Sequence, residues 1–243
     1  MKIRVENLDL KEVKCDLLVV NEFEGVKTPG GATGAADKAL GGIITELTHD
    51  GEIDGKLGKV TIIHFGGKLK ARKVAVVGLG KKDKFDLEAV RTASAAAIKT
   101  AREVKAKTVA TIIHGCGCGE LDVEQSAKAV VEGSVLGVYK FTGYAKEKDS
   151  PELKIEQLIL IDNDPTKVKN ASRGAKLGLI IAEAENYVRD LVNEPSNKMT
   201  PTAFGSLSKK IAKINGLKYA CLDPREEGME ALWSVAKGSD EPP

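Results

Sequence analysis

Residues 171–204 read ASRGAKLGLIIAEAENYVRDLVNEPSNKMTPTAF, and no other stretch constrains the fold as much. Leu177, Ile180, Ile181, Ala184, Val188, Leu191 and Val192 recur at helical spacing and draw one apolar stripe down a helix of about six turns. A lone helix of that length is marginal in water. Burying each large aliphatic side chain contributes roughly 1.5–3 kcal/mol, so the stripe predicts a body for the helix to lie against. The helix should stop near Asn193, because Pro195 biases Glu194 away from helical backbone and has no amide donor. Turn chemistry fills 193–200. Thr200 then suits an N-cap and Pro201 the first helical position, so a second unit begins there.

Ahead of this stretch, strand and helix patterns alternate. Residues 3–5 alternate as a short strand, and apolar runs of strand length recur at 16–20, 60–63, 74–77, 109–113 and 155–161. Strands apolar on both faces belong in a covered sheet. Helical periodicity marks 86–104 and 122–138, the second opening on Asp122 with Gln125 three residues on, the pattern of a capping box. The expected fold is α/β, a mixed and mostly parallel sheet flanked by helices. The polar run at 163–167 is the weakest point before the long helix, which gives a domain at 1–168, a connecting helix at 169–193 and a further segment at 194–243. In that last segment the pattern predicts a helix to about 214, a strand at 217–222 and a short helix around 226–232. One strand between two helices cannot close a core, so this α/β segment is expected to be incomplete.

Charge and composition exclude several classes of function. The formal net charge is +2 and the basic residues are scattered, so nothing resembles a footprint for nucleic acid or an anionic membrane. No run is long enough to span a bilayer and the first residues lack a signal-peptide core, giving a cytoplasmic reading. Cys116-Gly-Cys118 is one residue short of a CxxC pair, and with Cys15 and Cys221 these read as free thiols. His49, His64 and His114 are isolated, so no metal-ligand spacing emerges. Glu226 and Glu230 would share a helix face, with Glu227 beside them, but no further ligand joins them. Gly78-Leu-Gly80 follows a strand, yet the third glycine of a dinucleotide fingerprint is missing. The SxxK spacings at Ser206/Lys209 and Ser234/Lys237 lack companion motifs.

The run from Arg189 to Asn197, RDLVNEPSN, followed by Met199-Thr-Pro-Thr202, resembles the segment that opens the catalytic domain in the leucyl (cytosol) aminopeptidase family. Val77-Gly-Leu-Gly80 with Phe85 and Arg91, and Glu132-Gly133 with Leu136-Gly-Val-Tyr139, are similar to that family's N-terminal domain. Gly228-Met229, Ala231-Leu232, Gly238-Ser239 and Pro242-Pro243 are similar to its early catalytic portion. The resemblance implies the N-terminal part of a metal-dependent exopeptidase that uses two divalent ions, zinc or manganese, and assembles as a hexamer. The family's Lys, Asp and N-T-D-A-E-G-R ligand motifs have no counterpart here. The chain is therefore expected to hold no catalytic or metal-binding residues, to carry no cofactor and to be inactive alone. Peptides would be its substrates only once the catalytic part is supplied.

A second resemblance lies at 16–40, where Asp16-Leu-Leu-Val-Val-Asn21, Pro29-Gly-Gly31 and Ala35-Ala-Asp-Lys-Ala39 look like the opening of a macro domain. It implies a macro-like N-terminal domain and, as the alternative function, an ADP-ribose-type nucleotide-binding module, with Asp16, Asn21, Gly30 and Gly31 as ligand-binding residues. Glu22-Phe-Glu24 departs from that family's small residues, and its carboxylates would repel a diphosphate.

Overall fold

A computed structural model describes residues 1–66, 69–116, 121–144 and 154–239. Cys118, Pro242 and Pro243 lie outside the described residues. The chain divides into two units, 1–186 and 187–243.

The first unit is built on a six-stranded sheet in the order β1-β6-β5-β2-β4-β3, from β1 (Lys2–Asn7), β2 (Leu17–Glu22), β3 (Val60–His64), β4 (Lys73–Gly78), β5 (Thr108–Ile112) and β6 (Gln157–Asp162). Every neighbouring pair is parallel except β3 with β4. The apolar runs become strands because both faces are covered, as expected of a parallel sheet. Leu17 and Val19 of β2 join the core on one face, and Leu18 and Val20 the core on the other.

On the first face lie α3 (Leu87–Glu103) and α4 (Val123–Gly137), each started by a carboxylate cap. Asp86 accepts from Ala89 N and Asp122 from Gln125 N, so the acidic cap is present at both predicted starts. The two helices touch backbone to backbone: a Cβ on Gly133 would lie 2.3 Å from Arg91 O. Buried Glu132 then accepts from Arg91 Nε at 2.7 Å, with Lys128 Nζ at 3.7 Å, so the charge is paired. On the opposite face are α1 (Gly31–Leu40) and α2 (Ile43–His49). Asp37 ties them together by accepting from Ile44 N and Thr45 N, which caps α2.

The long helix α5 (Pro165–Asn193) ends where Pro195 requires, but it packs through a different face from the one its stripe predicts. Its buried residues are Ala171, Gly174, Ala175, Gly178 and Ala182. Small residues let the α5 backbone reach α4: a Cβ on Gly174 would sit 1.9 Å from Glu124 O, and one on Gly178 2.5 Å from Lys128 O. Arg173 braces the contact with two hydrogen bonds to Glu124 Oε2. The stripe is left in solvent, with Leu177 43% and Ile180 56% exposed.

The second unit holds α6 (Pro201–Ile214) and α7 (Glu230–Ala236). Thr200 Oγ1 accepts from Ala203 N and Pro201 opens α6, as its sequence indicates. Residues 217–222, expected as a strand, form none: no other strand of this unit is described for them to pair with. The last helix starts at Glu230 instead of near 226, after a run of turns at 224–228.

Candidate functional site

The carboxyl ends of β2, β5 and β6 open into one cleft of about 810 Å³ in the first unit. In an open α/β sheet this is where ligands are received. Its floor is apolar, with Leu8 and Leu10 beyond β1, Ile112 and Ile113 at β5, and Ile161 at β6.

One wall is the entry to α1. Gly30 is the N-cap at φ −116°, contributes no capping side chain, and the first turn holds no acidic residue. The amides of that turn therefore face the cleft without a side-chain acceptor, which favours an anion there. A Cβ on Gly30 or Gly31 would meet nothing within 4 Å, and Gly31 has φ +54°. Gly34 is needed for a different reason: its Cβ would lie 2.7 Å from Pro29 O.

Asn21 anchors the floor. Its Nδ2 lies 2.8 Å from His114 Nδ1 and donates to it, Thr111 Oγ1 lies 3.4 Å from His114 Nε2, and Thr33 Oγ1 donates to Asn21 O at 2.6 Å. The imidazole is 1% exposed, and burial pushes its pKa down to about 4. A neutral ring accepting at Nδ1 carries its proton on Nε2, facing Thr111. His114 is thus a buried structural group, in keeping with its place at a strand end.

Four acidic residues (Asp9, Glu22, Glu24, Asp162) and two lysines (Lys82, Lys167) line the cleft. Glu22 is 5% exposed; its Oε2 accepts from Thr48 Oγ1 and its Oε1 has no partner. Burial, reinforced by Asp37, pushes this carboxyl up to about 7. Cys116 also lines the cleft, but burial raises its thiol to about 11, which leaves little thiolate.

Three of the four ligand-binding candidates, Asn21, Gly30 and Gly31, come together here. Asp16 does not. It sits at the other end of β2, five residues and about 16 Å of strand away, and its Oδ2 accepts from Lys107 N and Thr108 N while Oδ1 faces Arg72 at 3.5 Å. The acids on the cleft side include Asp9, just beyond β1, whose signal in the sequence was its position after the first alternating strand.

The other candidates are scattered. Gly78 is a close-approach glycine, since a Cβ there would lie 2.0 Å from Lys56 O. Glu226 precedes α7, so it does not share a helix with Glu230. Cys15, Cys116 and Cys221 are free thiols. Among the described residues no three His, Cys, Asp or Glu side chains are grouped to hold a metal ion.

Residues 19–148 match the N-terminal domain of the cytosol aminopeptidase family, and 186–243 match that family's catalytic domain. The whole chain is 32% identical to a probable cytosol aminopeptidase of Alkaliphilus metalliredigens and 34% identical to one of Sulfurihydrogenibium sp., covering 49% and 48% of their lengths. The chain thus spans about half the length of the curated relatives it matches. Among solved structures, the bottromycin maturation enzyme BotP in complex with Mn superposes with a TM-score of 0.68 at 26% identity, over 93% of this chain and 43% of that one. A tomato leucine aminopeptidase mutant shares the fold with a TM-score of 0.71 at 21% identity, over 88% and 42%. Among the described residues no helix is long and apolar enough to cross a membrane.

Proposed function

Because the chain belongs to the cytosol aminopeptidase family, we propose that it supplies the N-terminal domain, the connecting helix and the opening of the catalytic domain of a metal-dependent exopeptidase. The observation that carries this reading is the succession of two matches, N-terminal domain over 19–148 and catalytic domain over 186–243, in one chain. Domain limits at 168 and 193 accompany it. In the completed enzyme, peptides are the substrates and two divalent ions activate water. On this reading the ligands for those ions come from residues outside this sequence, because the family's ligand motifs have no counterpart in it. Alone, the chain is a scaffold without hydrolytic activity, and hexamer formation belongs to the completed protein. The test is hydrolysis of a leucyl anilide by the purified 243-residue chain with manganese or zinc. No release above background is expected; release abolished by a chelator would overturn the reading.

A second reading is favoured by one observation, the convergence of Asn21, Gly30 and Gly31 on one cleft. The N-terminal domain would there take an ADP-ribose-type nucleotide, its diphosphate at the uncapped start of α1. The carboxylates at the rim oppose it, so the reading stands or falls on calorimetry with ADP-ribose. Gly30→Asp is the decisive variant. An extended backbone at Gly30 accepts a side chain, and the new carboxylate would cap α1 and occupy the anion position. Binding heat is expected from the native chain and none from the variant, with thermal stability kept or raised. No heat from the native chain removes this reading and leaves the first untouched.

A further inference from the structure

Glu22 ends β2 and is sealed where that strand meets α1 and α2, with 5% of its surface exposed. The hydrogen bonds around it suit a neutral acid. Thr48 of α2 has one hydroxyl proton and two acceptors in reach, Ile44 O at 2.8 Å and Glu22 Oε2 at 3.2 Å. A single proton cannot serve both fully. With that proton on Ile44 O, the shorter contact, Glu22 holds Thr48 Oγ1 only by donating a proton of its own. The other carboxyl oxygen, Oε1, is buried without a partner. Asp37 of α1 adds a like charge. It is fixed in place, because its oxygens accept from Ile44 N, Thr45 N and Thr45 Oγ1. On the strand side β4 meets Glu22 with Gly78, which brings no side chain. Among the described residues no cation is paired with Glu22.

A charge formed here is buried, unpaired and close to another of its own sign, and it is relieved when the helices move off and water enters. Two ties define what moves. Asp37 caps α2, so α1 and α2 travel together. Thr33 Oγ1 donates to Asn21 O at 2.6 Å and keeps the first turn of α1 on β2, which makes that turn the pivot. We propose that Glu22, Thr48 and Asp37 form a proton-operated latch: a protonated Glu22 holds the α1–α2 pair on the end of β2, and its ionisation lets the pair swing about Thr33. The first turn of α1 lines the cleft, so the latch sets how the amides there are presented to a ligand. It needs neither the exopeptidase nor the nucleotide reading to hold. Burial and the Asp37 charge raise the carboxyl from 4.5 to about 7. An open state restores the ordinary value, so opening grows as pH rises from 4.5 and levels off above 7.

The test is amide exchange of the full chain from about pH 5 to about pH 8, corrected for the intrinsic pH dependence of exchange, together with an NMR titration of the Glu22 carboxyl carbon. The carboxyl is expected to titrate near 7. Protection in α2 and the second half of α1 should fall on the order of a hundredfold over that range, and stay below that of β4 throughout. Glu22→Gln cannot ionise, and its amide can still donate to Thr48 Oγ1. Protection in the variant should therefore stay level. A carboxyl that titrates near 4.5, an equal fall in the variant, or helices that exchange only together with β4 would overturn the latch.

Discussion

Two buried groups at the ends of neighbouring strands set opposite pH dependences. His114 is neutral when folded, its pKa lowered from 6.5 to about 4 by burial. The unfolded chain therefore binds the extra proton, and the stability present above pH 6.5 is lost as pH falls through about 4. The shift corresponds to about 3 kcal/mol. Glu22 works the other way: its carboxyl, raised from 4.5 to about 7, holds a proton longer in the folded state, so its contribution is present below 4.5 and lost as pH rises through 7. Thermal unfolding should then show that Glu22→Gln raises stability at pH 8, by on the order of 2 kcal/mol, and has no such effect at pH 4. His114→Leu should lower stability at pH 7, by leaving Asn21 Nδ2 unsatisfied, and should flatten the acid limb. At this scale the sequence was a partial guide. Asn21, Gly30 and Gly31 are named through the likeness of 16–40 to the opening of a macro domain, and they line one cleft. Asp16 stays apart from them because it sits at the other end of β2, a separation that the one-dimensional pattern does not show.

Among elements, the strands and the capped helices were legible, since runs apolar on both faces and acidic caps act through local chemistry. The packing face of α5 was not. Periodicity located the large side chains at Leu177, Ile180 and Ile181, but hydropathy gives little weight to the glycines and alanines that make the contact. What decides the matter is distance of approach, and only small residues bring two helix backbones together. Gly178→Val should accordingly cost at least ~2 kcal/mol, because its side chain meets the Lys128 carbonyl and neither backbone can retreat. Ile180→Ser, on the exposed side, should stay within about 0.5 kcal/mol in the chain alone. Urea titration followed by circular dichroism separates the two; equal losses would mean that the helix packs by its large residues after all. The strand expected at 217–222 fails for a related reason. Its pattern was legible, but a strand exists only when another pairs with it.

For the whole molecule, the contrast between units predicts uneven stability, since only Ala212 and Pro224 are buried among the described residues of the second, 187–239. In the lone chain, amides of β2, β4 and β5 should exchange only on global unfolding of the first unit, while those of α6 and α7 exchange orders of magnitude faster. Urea should melt the second unit in a separate, earlier transition, so a single midpoint will not describe this chain. Protection in α6 equal to that in β2 would show that the second unit has found cover in solution. The glycine contact between α4 and α5 has one more consequence, and it concerns drift. Positions 174 and 178 are closed to substitution by their neighbours' carbonyls, whatever the helix does for a living. The opposite side, at 177 and 180, is free to accumulate polar replacements unless some surface lies over it. Natural variation at those two positions would therefore tell a bare flank from an occupied one before any complex is made.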